Sequence, residues 1–135
     1  MSEQSYLSEA RFYASRDQWG KAIDVLEQAV AIGDESSEIC KELARLSLQV
    51  NEIRAFANWC HEAMRINPAD SEPHLMIARI LVRQHRWGEA VETLEQARKI
   101  GSLGPEEQAE IQELLAKSSV ALEEYMKQHP GASNI

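Results

Sequence analysis

The sequence is poor in the residues that cross-link or punctuate a chain. Its 135 residues include two cysteines, Cys40 and Cys60, too few for the disulfide framework of a small secreted domain. Six glycines and four prolines, set against frequent Ala, Leu, Glu and Gln, favour helix over sheet. Apolar runs such as Ile80-Leu81-Val82 fall far below the ~20 residues of a membrane span. Positive charge is in deficit, with 14 Lys and Arg against 22 Asp and Glu for a net charge of −8. That balance argues against nonspecific nucleic-acid binding. The start, Met1-Ser2-Glu3-Gln4, is polar and acidic and carries no secretory pattern, so a cytoplasmic location is expected. There is no glycine-rich phosphate loop and no nucleophile elbow. Cys40, Cys60, His61 and His74 lack the spacing of a compact zinc set. Catalysis, a cofactor and a bound metal are therefore not expected.

A repeat is present instead. Trp87-Gly88-Glu89-Ala90-Val91-Glu92-Thr93-Leu94-Glu95-Gln96-Ala97 has a near copy beginning at Trp19, an offset of 68 residues, twice 34. A degraded third copy lies midway. Trp19, Ile53 and Trp87 share one 34-residue lattice, as do Leu26, Cys60 and Leu94, Ala29, Ala63 and Ala97, and Ile32, Ile66 and Ile100. A fixed period of 34 in a helical sequence means stacked helical hairpins.

Local signals agree with that period. Helices are expected near 4–16, 20–32, 37–50, 53–66 and 87–100, with a fifth in chain order starting after Asp70 or Ser71 and carrying Pro73 in its first turn. Asp34 and Ser36 offer N-cap oxygens, and Gly33 stands where a helix end wants a left-handed residue. Asp17, Asn51 and His85, 34 apart, are residue types tolerant of left-handed backbone, which a tight helix–helix turn requires. After Gly101 the repeat stops. Gly104-Pro105-Glu106-Glu107 then starts a helix of 24 residues, 105–128, striped with Ile111, Leu114, Leu115, Ser118, Leu122, Tyr125 and Met126. No turn signal splits it, so it reads as a cap on the last hairpin. Residues 129–135 are expected to be a flexible tail. The whole is expected to form one domain.

These residues resemble the tetratricopeptide repeat family. Tyr6, Ala10, Tyr13, Trp19, Ala22, Leu26 and Ala29 carry the likeness in the first repeat. Ala44, Ile53, Ala63, Ile66 and Pro68 carry it in the second, and Ile77, Ala78, Leu81, Trp87, Ala90, Leu94, Ala97 and Ile100 in the third. The resemblance implies an all-α, right-handed solenoid of seven helices: hairpins at 4–33, 37–68 and 71–101, then the capping helix. One departure stands out. Phe56 replaces the small residue at the second hairpin crossing while Ser47 replaces the bulky aromatic opposite, a large-for-small exchange that keeps core volume.

The resemblance also implies a function, non-catalytic protein–protein interaction as an adaptor or assembly chaperone. The first helix of each hairpin would line a concave groove. Its candidate contact residues here are Leu7, Arg11, Lys41, Arg45, Leu48, Gln49, Leu75, Arg79, Val82 and Arg83. One position is arginine every time: Arg11, Arg45 and Arg79. On one reading this ladder takes an acidic peptide segment or C-terminus. On the other, each arginine pairs with a glutamate of its own chain, such as Glu38, Glu42, Glu72 or Glu113. The family's clamp for chaperone tails uses lysine and asparagine at positions that hold Leu7, Arg11, Glu42, Glu72 and Met76 here, so that ligand is not expected. The basic stretch Arg79, Arg83 and Arg86 is either a solvated face or the anionic-ligand end of the groove. Without interleaved aromatics it does not suit nucleic acid. An alternative of another class is a self-assembling scaffold unit, oligomerising through Leu122, Tyr125 and Met126 on the last helix.

Overall fold

The computed structural model describes residues 2–34 and 36–131. Among these residues every regular element is an α-helix: α1 (Glu3–Ala14), α2 (Trp19–Ala31), α3 (Ser37–Gln49), α4 (Ile53–Ile66), α5 (Glu72–Arg83), α6 (Trp87–Ile100) and α7 (Pro105–Gln128). Residues 129–131 of the expected tail follow α7 as a turn, with the His129 ring stacked on Tyr125 at 4.2 Å. Residues 132–135 lie outside the described residues.

The hairpin turns show why the lattice includes Asp17, Asn51 and His85. Their φ values are 58°, 60° and 57°, the left-handed region that these polar types enter more readily than most side chains. Each turn closes with the same pair of bonds. The amide of Asp17 donates to Ala14 and that of Gln18 to Tyr13; Asn51 and Glu52 donate to Leu48 and Ser47, and His85 and Arg86 to Val82 and Leu81. This is the Schellman arrangement, which satisfies carbonyls left open at a helix end. Gly33, at φ 88°, ends α2 in the same way, through its own amide and that of Asp34.

Helix starts are equally local. The hydroxyls of Ser2 and Ser36 accept from the amides of Ser5 and Ile39. For α5 it is Asp70 that accepts from the Glu72 amide, at 3.0 Å. Ser71 instead forms a reciprocal pair with Ser102, each hydroxyl accepting from the other's amide at 2.8 and 3.0 Å.

The chain forms two compact units, Met1–Pro68 and Ala69–Ile135. In the first, α1 packs on α2 and α3 on α4, and α3 also meets α1 and α2. Leu7, Ala10, Ala22, Leu26, Ala29, Ile39, Leu43 and Leu46 make its core, with Trp19 half-buried against it. In the second unit α6 packs on both α5 and α7. Leu75, Ala78, Leu94, Ala97, Ile111 and Leu115 form one cluster, and Leu81, Val82 and Ala90 another, against which Trp87 is half-buried. Phe56, at 1% exposure, is fully inside, and Ser47 of the partner helix α3 is buried with its hydroxyl donating to the Leu43 carbonyl at 2.8 Å. Two lattice members, Ile32 and Ile53, are exposed.

Candidate functional site

Within its own unit a first helix meets the second helix of its hairpin and at least one further helix: α3 for α1, α1 and α2 for α3, and α7 for α5. That double packing buries more of its surface than a single amphipathic stripe would. On α3 it buries Ile39, Cys40, Lys41, Leu43, Ala44, Leu46 and Ser47. It also corrects the expected contact set. Leu7, Leu75 and Val82 are core residues, at 2%, 1% and 8% exposure. Lys41 is buried too, its Nζ 2.9 Å from Glu38. These four side chains are held by packing and are not presented to a ligand. Arg11, Gln49, Arg79 and Arg83 are exposed, and Arg45 and Leu48 half-exposed.

In the first unit two guanidinium groups converge on one carboxylate. Glu42 Oε1 lies 3.1 Å from Arg45 Nη1 and 4.0 Å from Arg11 Nη2. Glu42 itself is largely covered, whereas both arginines keep about half of their side-chain surface in solvent. Below them, burial pushes the Cys60 thiol up to about 12, against the opposing pull of Arg45. Both cysteines are buried free thiols, and the chemistry of a reactive cysteine is absent from Cys60 because a thiolate is the nucleophile.

In the second unit Arg79 makes a two-pronged contact with Glu110 of α7, Nε to Oε2 at 2.8 Å and Nη2 to Oε1 at 2.7 Å. This hydrogen bonding raises the Arg79 pKa and holds the Glu110 carboxyl below its ordinary range. Glu72 and Glu107 add to the negative field around the same guanidinium. Glu110 was missed in the sequence because the 34-residue lattice pointed to Glu113. A different offset would have found it: Arg11–Glu42 and Arg79–Glu110 are both 31 residues apart, while the residue 31 beyond Arg45 is Met76. Phe12 was missed as well. It is 52% exposed, with the Arg16 guanidinium 4.0 Å above its ring. Its lattice partner Leu46 is buried by α1 and α2.

The far end of α7 forms a second candidate surface. Fully buried residues on α7 end at Ser118. Beyond it an open cleft of about 450 Å³ is lined by Val91 of α6 and by Ser119, Leu122, Glu123, Met126 and Lys127. Leu122 and Met126 are half-buried. Tyr125 departs from the expected stripe: it is 46% exposed and stacks on His129 instead of turning into the cleft. Among the described residues no group of three or more His, Cys, Asp or Glu side chains is placed to hold a metal ion. None of the described helices is long and apolar enough to cross a membrane.

No family model and no curated protein sequence matches the chain. Its likeness is to solved structures. The type III secretion chaperone SycD of Yersinia enterocolitica, solved with a peptide of the translocator YopD, matches with a TM-score of 0.78 at 12% identity, over 87% of this chain and 92% of that one. The TPR domain of Sgt2 from Aspergillus fumigatus matches at 0.74 and 19% identity, over 98% and 87%. The chain has the tetratricopeptide repeat fold. The TPR2B domain of yeast Sti1, solved as its pHsp70 complex, shares it at a TM-score of 0.68 and 20% identity, over 85% and 97%. In tetratricopeptide terms α1, α3 and α5 are the first helices of three hairpins, and α7 is the helix that follows the last.

Proposed function

We propose that this tetratricopeptide-type protein is a non-catalytic, cytoplasmic adaptor or assembly chaperone that holds a peptide or partner segment against its first helices. The observation that carries this reading is the arginine position. Arg11, Arg45 and Arg79 recur at one register of α1, α3 and α5 and stay at the surface, while Leu7, Lys41 and Leu75, four residues before each, are buried. The likeness to SycD and the Sti1 domain, both solved with a bound partner, supports it. In the first unit the contact residues are Arg11, Arg45, Leu48 and Gln49; in the second they are Arg79 and Arg83.

The favoured ligand is an acidic segment. Its carboxylates would exchange with Glu42 or Glu110 on guanidiniums that are already paired, and exchanging one exposed ion pair for another nets only about 0–1 kcal/mol. Charge therefore sets register and on-rate, and affinity comes from backbone and apolar contacts. Chaperone tails are not proposed, because the clamp positions hold Leu7, Arg11, Glu42, Glu72 and Met76. Peptides selected on the full chain from a random display library test the reading. Enriched sequences should be rich in Asp and Glu, and Arg45→Ala and Arg79→Ala should each weaken binding by roughly 2- to 5-fold by fluorescence anisotropy. Unchanged affinity in both variants would end it. Self-assembly through α7 is a second, compatible reading, supported by the apolar cleft beside Val91.

A further inference from the structure

The geometry points to an antiparallel homodimer in which the far end of α7 lies in the α6–α7 cleft of a second copy, with Glu123 and Lys127 paired reciprocally across the two-fold axis. This inference rests on the self-assembly reading above and specifies its partner, orientation and contacts. Helix α7 has 24 residues and its neighbour α6 has 14. The ten additional residues correspond to about 15 Å of helix at 1.5 Å per residue. No residue of α7 beyond Ser118 is fully buried among those described. Leu122 and Met126, one turn apart, continue the line of Ile111, Leu115 and Ser118, and with Val91 they form the apolar wall of the open cleft. A helix laid along that wall completes a packed face of the kind α6 already gives Ile111 and Leu115.

The charges at the rim choose the occupant. The protein carries a net charge of −8, so two copies repel at long range and any self-contact needs local compensation. Glu123 sits next to Leu122 and Lys127 next to Met126 on the lining of the same cleft. An isologous interface must be complementary to itself. Reading the segment in reverse places Glu123 against Lys127 of the partner subunit and Lys127 against Glu123 of the partner subunit. The axis then falls level with Tyr125, and both contacts are attractive. A parallel pairing would instead set Glu123 against its own copy and Lys127 against its own copy. The opposite charges spaced by one helical turn therefore fit an antiparallel second copy and disfavour a parallel one. Lys127 is at present 3.8 Å from Glu124 with both side chains mostly in solvent, an exposed pair that exchanges at little cost. The surface is short, so the dimer belongs to the weak, transient class.

Sedimentation equilibrium of the full chain over a range of concentrations tests this, with Glu123→Lys and Lys127→Glu as the variants. Both positions are exposed, so neither change disturbs the fold. The wild type should dimerise. Each single variant converts both reciprocal contacts to repulsions and should weaken dimerisation by about tenfold. Mixing the two variants should restore it as a heterodimer, because every contact is then between opposite charges. A wild type that stays monomeric over the whole concentration range overturns the self-assembly reading and the inference together. A wild type that dimerises with an affinity indifferent to both variants overturns the inference alone, because assembly then uses another surface.

Discussion

The two compact units present an arginine at the same register of their first helices and surround it differently. In the first unit Arg11 and Arg45 converge on Glu42. In the second, Arg79 is held by two bonds to Glu110 and also feels Glu72 and Glu107. The same contrast runs through the cores. At the lattice points where the second unit puts Leu81 and Ala90, both buried, the first unit's second hairpin puts Ser47 and Phe56. A 34-residue repeat thus fixes where a side chain stands and leaves open what it meets there. Steric bulk and charge are redistributed among neighbours so long as volume and burial are kept.

The core exchange gives the largest expected effect. Phe56→Ala should cost about 3–5 kcal/mol in chemical denaturation, because the cavity lies in a fully buried crossing. Adding Ser47→Leu should recover part of that loss by giving the hairpin the Leu–Ala pair of the second unit, and failure to recover any of it would break the equivalence of the two sites. The turns come next. Asn51→Ala and His85→Ala should each lose about 1 kcal/mol, since alanine pays the left-handed penalty that these residues bear more easily; a loss in one and none in the other would show that the turns differ. A comparable change of opposite sign is expected at Ser118, whose Oγ is buried without a hydrogen-bond partner among the described residues. Ser118→Ala should raise the thermal midpoint of the second unit, by about 1 kcal/mol of stability.

The smallest effect is a pH dependence. Glu110 has its pKa lowered in the folded chain by Arg79, so the unfolded chain binds the proton more readily. The stabilisation is fully present above the ordinary value of 4.5 and is lost as pH falls through the lower folded value. Both partners are exposed, so less than about 1 kcal/mol is at stake. Glu110→Gln should flatten that part of the stability curve, measured by denaturation at successive pH values.

The seven helices and the three left-handed turns were legible in the sequence, because each depends on local chemistry. Asp17, Asn51 and His85 announce their backbone by residue type, and Pro105 with two following acids announces a helix start. The contact face was legible only in part. The family register puts Leu7, Leu75 and Val82 in the groove beside the arginines. They are core because each first helix is packed from two sides, a tertiary fact that one helix's own periodicity does not carry. Glu110 escaped for a related reason. The Arg11–Glu42 and Arg79–Glu110 pairs follow the staggering of side chains on neighbouring helices, an offset of 31, and the repeat itself keeps 34. Phe12 escaped because burial at its lattice point is supplied by a preceding hairpin, which α1 does not have among the described residues.

The helices that touch the ligand decide the proposed function. Titrating the isotopically labelled full chain with a library-selected peptide, and following backbone amide shifts by NMR, reads this residue by residue. Perturbations should gather on α1, α3 and α5 around Arg11, Arg45, Gln49 and Arg79. Perturbations confined to α2, α4 and α6 would contradict it.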